Sequence, residues 1–287
     1  MQFEKSGEKV RDVIEELVDR AFAEDIRDGD VTTDAIFDRK DRAEAVWEAK
    51  ADGVIAGLGV AEKIFKRLDH DLQWQPFITD GDSVGAGAEI VSFSGCTRAI
   101  LTAERTALNL VQRMSGIATK TSLFVKKIKE FDAQILDTRK TVPGLRALDK
   151  YAVRAGGGYN HRMGLFDMAL IKDNHIAAAG SISKAVQKVR QSNRDLKIEV
   201  ETTSLQQVGE ALSAGADIIM LDNMNCKLMR EAVHKIGKRA ETEASGNVNL
   251  STAAEIADTG VDYISVGGLT HSVKAFDISQ KLINNRK

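Results

Sequence analysis

Cysteine is nearly absent: Cys96 and Cys226 are the only two in 287 residues, and neither has CxxC spacing. They read as free thiols in a reducing cytoplasm, and no role is assigned to either. The histidines show no HExxH or other zinc spacing, so no transition-metal site is expected. No apolar run approaches the roughly 20 residues that span a bilayer. The first residues, MQFEKSGEKVRDVIEEL, are charged and amphipathic and lack the apolar region of an export signal. With a formal net charge of only −2, an extended basic surface for nucleic acid is not expected. A dinucleotide fingerprint is missing too, because Gly57-Leu58-Gly59 is followed by Glu62 where a third glycine belongs.

What remains is an ordinary globular composition, 43% hydrophobic and 29% charged, long enough for one large domain or two ordinary ones. Positive charge is concentrated in residues 136–175, which carry Arg139, Lys140, Arg146, Lys150, Arg154, Arg162 and Lys172 with His161 and His175. Gln134 to Leu136 reads as a short strand that stops at a polar run, and Pro143-Gly144 breaks regular structure. A helix is expected over 145–153, ending at Gly156-Gly157-Gly158, and a second strand over 168–171 ends at Lys172. Two strands thus end in clustered charge, where barrels and parallel sheets build their sites. The plainer alternative is that these are solvated loop residues.

Before this stretch, residues 10–23 have the spacing of an amphipathic helix, 43–50 alternate as a strand, and a helix is expected over 60–68. Turn residues around Asp80-Gly81-Asp82-Ser83, Gly85 and Gly87 mark short strands, so residues 25–100 read as a mixed α/β domain. Residues 102–129 give the strongest helical pattern, core-facing, with Gly116 as an expected interruption. Glu104 and Arg105 lie off its apolar stripe, which makes Arg105 by itself a solvated helix residue. From Ala133 onward strands and helices alternate as βα units, with strands near 134–137, 168–172, 196–201, 217–222, 241–245 and 263–267. Ser181, Ser204, Asn225 and Ser251 suit helix N-caps. Six such strands imply a barrel, incomplete because eight units are not visible.

Period-two alternation in Lys197-Ile198-Glu199-Val200-Glu201 puts both glutamates on one face. If Ile198 and Val200 face the helices, the glutamates point inward and need cations, for which Lys140 and Lys172 are candidates. Glu199 then reads as part of a structural ion-pair network, and Glu201 and Asp222 as strand-end carboxylates. Two segments look built to hold a phosphate: 243–247, with Ser245-Gly246-Asn247, and 265–272, with Val266-Gly267-Gly268, end the last two strands, a frequent phosphate position; the alternative is a tight turn without ligand.

The strings DTRKTVPGLR, YAVRAGGGYNHRMGL and ALIKDNHI, with GDVTT near the start and TAERTALNL between, closely resemble the quinolinate phosphoribosyltransferase family over nearly the whole chain. The resemblance implies an α/β fold: an N-terminal α/β sandwich domain, residues 1–114, to which 273–287 return, and a TIM-like open α/β barrel, 115–272. It implies a cytoplasmic pentosyltransferase of NAD biosynthesis. Such an enzyme transfers phosphoribosyl from phosphoribosyl pyrophosphate to quinolinate, releasing pyrophosphate and CO2 and giving nicotinate mononucleotide. Carried over by motif position, Arg139, Arg162, His161 and the Arg105 of a second subunit hold the quinolinate carboxylates, and Thr138 and Lys140 line the same pocket. Lys172 lies between quinolinate and pyrophosphate, while Glu201 and Asp222 take the ribose hydroxyls or Mg²⁺, which otherwise binds through the substrate. Ser245, Gly246, Asn247, Val266, Gly267 and Gly268 hold the 5′-phosphate. Lys140, Lys172, Glu201 and Asp222 form the catalytic set, and a homodimer with shared sites is implied.

The sequence departs from the family pattern at Asn247, where the usual SGG has its second glycine, and more mildly at Gly268, where alanine is usual. Other readings remain open. A Schiff-base aldolase would use Lys140 or Lys172 as nucleophile. A binding protein could keep the fold without the chemistry, and a related phosphoribosyltransferase could act on another aromatic acid.

Overall fold

The computed structural model describes residues 7–283, with side chains from residue 13 onward. The chain runs α1 (Gly7–Asp25), α2 (Val31–Ile36), β1 (Arg42–Ala49), β2 (Gly53–Val54), α3 (Leu58–Leu68), β3 (Gln73–Pro76), β4 (Ser83–Val84), β5 (Glu89–Cys96) and α4 (Thr97–Lys127). There follow β6 (Gln134–Leu136), α5 (Arg146–Ala155), β7 (Ala169–Ile171), α6 (Asp173–Ala179), α7 (Ile182–Ser192), β8 (Ile198–Thr202), α8 (Leu205–Ser213) and β9 (Ile218–Asp222). The last elements are α9 (Cys226–Ile236), β10 (Glu241–Ser245), α10 (Ala253–Ala257), β11 (Tyr263–Ser265), α11 (Gly268–His271) and β12 (Ile278–Ile283). Two compact units result, one of residues 1–120, 143–156 and 273–287, the other of 121–142 and 157–272. The division falls inside α4.

The first unit holds an antiparallel sheet in the order β12-β1-β5-β3 and a small β2-β4 ribbon. Its core is aromatic in a chain with few aromatics. Both tryptophans lie in one cluster: Trp47 of β1, fully buried, has its ring 5.8 Å from Phe65 of α3, 5.9 Å from Trp74 and 6.0 Å from Phe93. Edge-on contacts of this kind add to the area that large rings bury. The Trp47 indole N–H also donates to the Gln280 side chain at 2.9 Å, so the last strand is fixed to the first by a side-chain bond as well as by its ladder.

At α3, Gly57 has a φ of 105°, and the N–H groups of Gly57 and Leu58 donate to the Asp80 carboxylate at 2.9 and 3.1 Å. The helix N-terminus that resembles half a nucleotide fingerprint therefore already holds an anion of its own chain. Asp80 also accepts from Tyr151 of α5 at 2.7 Å, and Arg113 of α4 grips the buried Asp149 of α5 through two bonds, 2.9 and 2.8 Å. These contacts explain why α5, which lies between two strands of the second unit in sequence, clusters with the first.

Gly116 does not interrupt α4. The helix is continuous through it, and a Cβ there would stand 2.2 Å from the Lys274 carbonyl oxygen. The glycine permits a close backbone approach rather than a break.

In the second unit six strands form one parallel sheet in the order β6-β11-β10-β9-β8-β7. Beside β6 the sheet gains a single bridge, Leu136 to Tyr159, with Tyr159 N–H donating to Ile135 and Asp137 N–H to Tyr159. β9 is apolar and buried from Ile218 to Leu221, as expected for a strand covered on both faces. Ser181, Ser204 and Asn225 cap α7, α8 and α9 through their side-chain oxygens. Ser251 does not cap: Asn249 accepts from the N–H groups of Ser251 and Thr252, and α10 starts after Thr252. An Asx turn wins over the serine cap.

Alanine at position 116 gains about 1 kcal/mol of helix propensity. Forcing its methyl against a carbonyl costs more, so Gly116→Ala is expected to lose roughly 1–2 kcal/mol net, read as a lower urea midpoint at unchanged slope. An unchanged midpoint would show that the 274 segment yields.

Candidate active site

Because the six strands are parallel, their carboxyl ends share one edge, and nearly all the expected residues gather there. After β6 come Thr138 and Arg139, half-buried, and Lys140, exposed. Lys140 is fixed at its backbone: its N–H donates to Thr138 Oγ1 at 3.0 Å and its carbonyl accepts from Thr270 Oγ1 at 2.8 Å. Its side chain passes Gly267, where an added Cβ would meet the Lys140 Cδ at 3.0 Å. After β7, Lys172 reaches Glu201 of β8 at 3.3 Å, and its backbone N–H donates to His175 Nδ1 at 3.0 Å. Of the two expected cations, Lys172 meets the inward glutamate nearer the strand end.

Glu199 is met otherwise. It is fully buried, with His161 Nε2 2.9 Å from one oxygen, and the same nitrogen lies 3.4 Å from buried Glu243 of β10. Burial, and then the charge of Glu243, raise the pKa of Glu199. On His161, burial opposes a proton while the two carboxylates favour it; the carboxylates prevail and push its pKa up to about 10. One contact works the other way, since the Arg162 backbone N–H donates to His161 Nδ1 at 2.8 Å, a bond lost if that nitrogen carries a proton.

Arg162 stands beside this group, half-buried, with its guanidinium donating to the Met168 carbonyl at 3.1 Å. Burial first, and then the nearby charge of Arg139, lower its pKa from the ordinary value. Two guanidiniums that repel each other make a ready site for a dianion. At the other side, Asp222 ends β9, and Ser245-Gly246-Asn247 and Val266-Gly267-Gly268 follow β10 and β11. Arg105 lies on α4 in the first unit, exposed, whereas every other candidate belongs to the second.

The family model for the quinolinate phosphoribosyl transferase C-terminal domain matches residues 117–281, and that for the N-terminal domain matches 30–115. The chain belongs to the quinolinate phosphoribosyl transferase family. It is 46% identical over 267 residues to the probable nicotinate-nucleotide pyrophosphorylase (carboxylating) of Bacillus subtilis, covering 93% of this chain and 92% of that protein. Among solved structures it resembles NadC from Streptococcus pyogenes (TM-score 0.91, 42% identity, 94% of this chain and 96% of that one). It equally resembles the nicotinate-nucleotide pyrophosphorylase from Francisella tularensis (TM-score 0.92, 42% identity, 95% and 96%).

Set against the family pattern, Asn247 takes the glycine's place with a φ of 54°, in the left-handed region that asparagine tolerates. Its side chain donates to Asn223 at 3.1 Å, and Asn223 donates to Asp222 at 2.8 Å, so the turn is tied to the neighbouring strand-end carboxylate. Asn223 escaped the sequence reading, and Glu243 and Asp137 fell within stretches it singled out but received no role of their own. Glu243 carried a usable signal, since Glu241-Thr242-Glu243 alternates as Glu199 and Glu201 do. The other two had none.

His161→Ala removes the imidazole shared by two buried carboxylates, and stability is expected to fall by roughly 3–5 kcal/mol in urea unfolding. A loss under about 1 kcal/mol would mean that the carboxylates find another donor.

Proposed function

We propose that the protein transfers the 5-phosphoribosyl group from phosphoribosyl pyrophosphate to quinolinate with decarboxylation, as a homodimeric, cytoplasmic enzyme of NAD biosynthesis. The observation that carries this is the collection of Arg139, Arg162, Lys140, Lys172, Glu201 and Asp222 at one edge of the parallel sheet, in a chain alike to its Bacillus subtilis relative over 93% of its length. The relatives' names describe one reaction read in two directions, carboxylating and decarboxylating.

Arg139 and Arg162 bind the two carboxylates of the pyridine ring, in a pocket lined by Thr138 and Lys140. Ser245-Gly246-Asn247 and Val266-Gly267-Gly268 offer backbone N–H groups to the 5′-phosphate. As the bond from C1 of the ribose to pyrophosphate breaks, positive charge develops on the sugar, and Glu201 and Asp222 stabilise it. Lys172, on the quinolinate side of Glu201, draws the leaving group. The ring nitrogen forms the new bond to C1; the resulting pyridinium stabilises the electron pair left on the ring carbon as the adjacent carboxylate departs as CO2, and a proton from solvent completes that carbon. The protein's share is orientation and charge, with no covalent intermediate.

Glu201 and Asp222 offer oxygen donors only, which suits a hard cation such as magnesium. Bound together with pyrophosphate, magnesium would neutralise charge on the leaving group. The ion pair of Lys172 with Glu201 occupies one of the two amines, Lys172 and Lys140, that an aldolase could use as a nucleophile. Exposed Arg105, and the exposed Val31 and Ile36 on α2, support a subunit contact in which Arg105 acts on the partner's site. The two free, half-buried thiols, Cys96 and Cys226, suit a reducing compartment.

Purified protein with quinolinate, phosphoribosyl pyrophosphate and Mg²⁺ is expected to form nicotinate mononucleotide, and nicotinate as acceptor is expected to give none. Product from another aromatic acid instead would reassign the substrate. Arg139→Ala and Arg162→Ala are each expected to weaken quinolinate binding by roughly 1.5–3 kcal/mol in calorimetry. If both bind as the unaltered protein does, the carboxylate clamp lies elsewhere. Mixed dimers of inactive Arg105→Ala and inactive Lys172→Ala subunits are expected to recover activity, because one of their two sites is intact. Verified heterodimers that stay inactive count against sharing.

A further inference from the structure

We propose that Gln280 of β12 is a positioning residue for Arg105: it holds the neighbouring carboxylate, Glu104, against the last strand, so that the guanidinium stays uncompensated for an anionic substrate. The inference deepens the proposed function and rests on it for the acid bound and for the action of Arg105 at the partner's site.

The carboxylate best placed to neutralise Arg105 is its own neighbour in sequence. Glu104 and Arg105 are consecutive on α4. Burial raises the pKa of Glu104 from its ordinary value and the charge of Arg105 pulls it back, so the two lie within electrostatic reach of each other. They nevertheless form no ion pair, and among the described residues the exposed Arg105 has no hydrogen-bond or ion-pair partner at all. Consecutive helix residues do not face each other, but a freed glutamate beside a long arginine lowers the positive potential that an incoming anion meets, with or without contact.

What keeps Glu104 away is an amide with only one way to sit. The indole N–H of fully buried Trp47 can only donate, and it takes Gln280 Oε1 at 2.9 Å. That bond directs Gln280 Nε2 at Glu104 Oε2, 2.8 Å away, and an ionised carboxylate can only accept. A donor on one side and an acceptor on the other leave the amide a single orientation. The chain leading to Gln280 is splinted to the same helix. Gly116, Gln112, Leu108 and Glu104 recur every four residues and so share one stripe of α4. Along that stripe Gly116 lies against the Lys274 carbonyl, the Gln112 carbonyl accepts from the Phe276 N–H at 2.8 Å, and the Gln112 side chain donates to the Ile278 carbonyl at 2.9 Å. Leu108 is buried, and Glu104 takes the last contact, with Gln280. Arg105 lies off the stripe. The C-terminal segment therefore takes up the carboxylate and leaves the cation.

The test is calorimetry of quinolinate and of phosphoribosyl pyrophosphate with the full-length protein. Gln280→Glu keeps an acceptor for Trp47 but cannot donate to Glu104. It is expected to weaken quinolinate binding roughly three- to fivefold, the strength of an exposed ion pair, with phosphoribosyl pyrophosphate binding unchanged. Adding Glu104→Gln removes the freed carboxylate, lets its amide donate to the new one, and is expected to restore the affinity. In Arg105→Ala protein, Gln280→Glu is expected to cost nothing further, because both act through one guanidinium. Quinolinate affinity that is unmoved by Gln280→Glu or by Arg105→Ala, or that falls equally with Arg105 absent, or falls alongside that for phosphoribosyl pyrophosphate, overturns the inference and leaves the reaction in place. Should Gln280→Glu fail to fold, Gln280→Ala with and without Glu104→Gln makes the same comparison: neutralising Glu104 cannot repair the lost Trp47 bond, so rescue supports the inference and its absence overturns it. Unaltered protein that neither binds quinolinate nor forms product removes the proposed function, and the inference falls with it.

Discussion

Strand direction is the constraint on which the rest depends. A parallel sheet cannot be made by hairpins, so each strand must be followed by a helical return, and every strand then ends on the same edge. Lys172, Glu201, Asp222 and the two glycine turns belong to five different strands and are separated by long stretches of chain, yet direction alone brings them to one rim. The apolar faces of the strands cement this arrangement: Ile198, Val200, Ile219 and Ile264 have no exposed surface. The polar rim is thus a by-product of an apolar requirement.

Below the rim the barrel departs from the usual filling of branched aliphatics. Glu199, Glu243 and His161 occupy volume that leucine and valine could fill at less electrostatic cost.

How much of this was legible follows from the range of the interactions. The strands of the second unit were read within a residue or two, because period-two alternation and strand-end charge are local. The caps at Ser181, Ser204 and Asn225 were read for the same reason. At Ser251 two local signals competed, and Asn249 won. Gly116 was misread because its reason lies far along the chain, at the carbonyl of Lys274. The attachment of α5 to the first unit was invisible, since it rests on Arg113 and Asp149, which no periodicity connects. Of the rim, the motif strings gave the residue types; the pairing of His161 with two glutamates required coordinates.

The pairing of β12 with β1 has a consequence for synthesis. The bond from Trp47 to Gln280 joins residues 233 apart, so the sheet of the first unit lacks an edge strand until β12 has been translated. A chain emerging from the ribosome carries β1 with one side of its ladder open throughout manufacture of the barrel, an exposed edge of the kind that chaperones cover. A chain truncated before β12 leaves the first strand of its earliest sheet without one of its two partners.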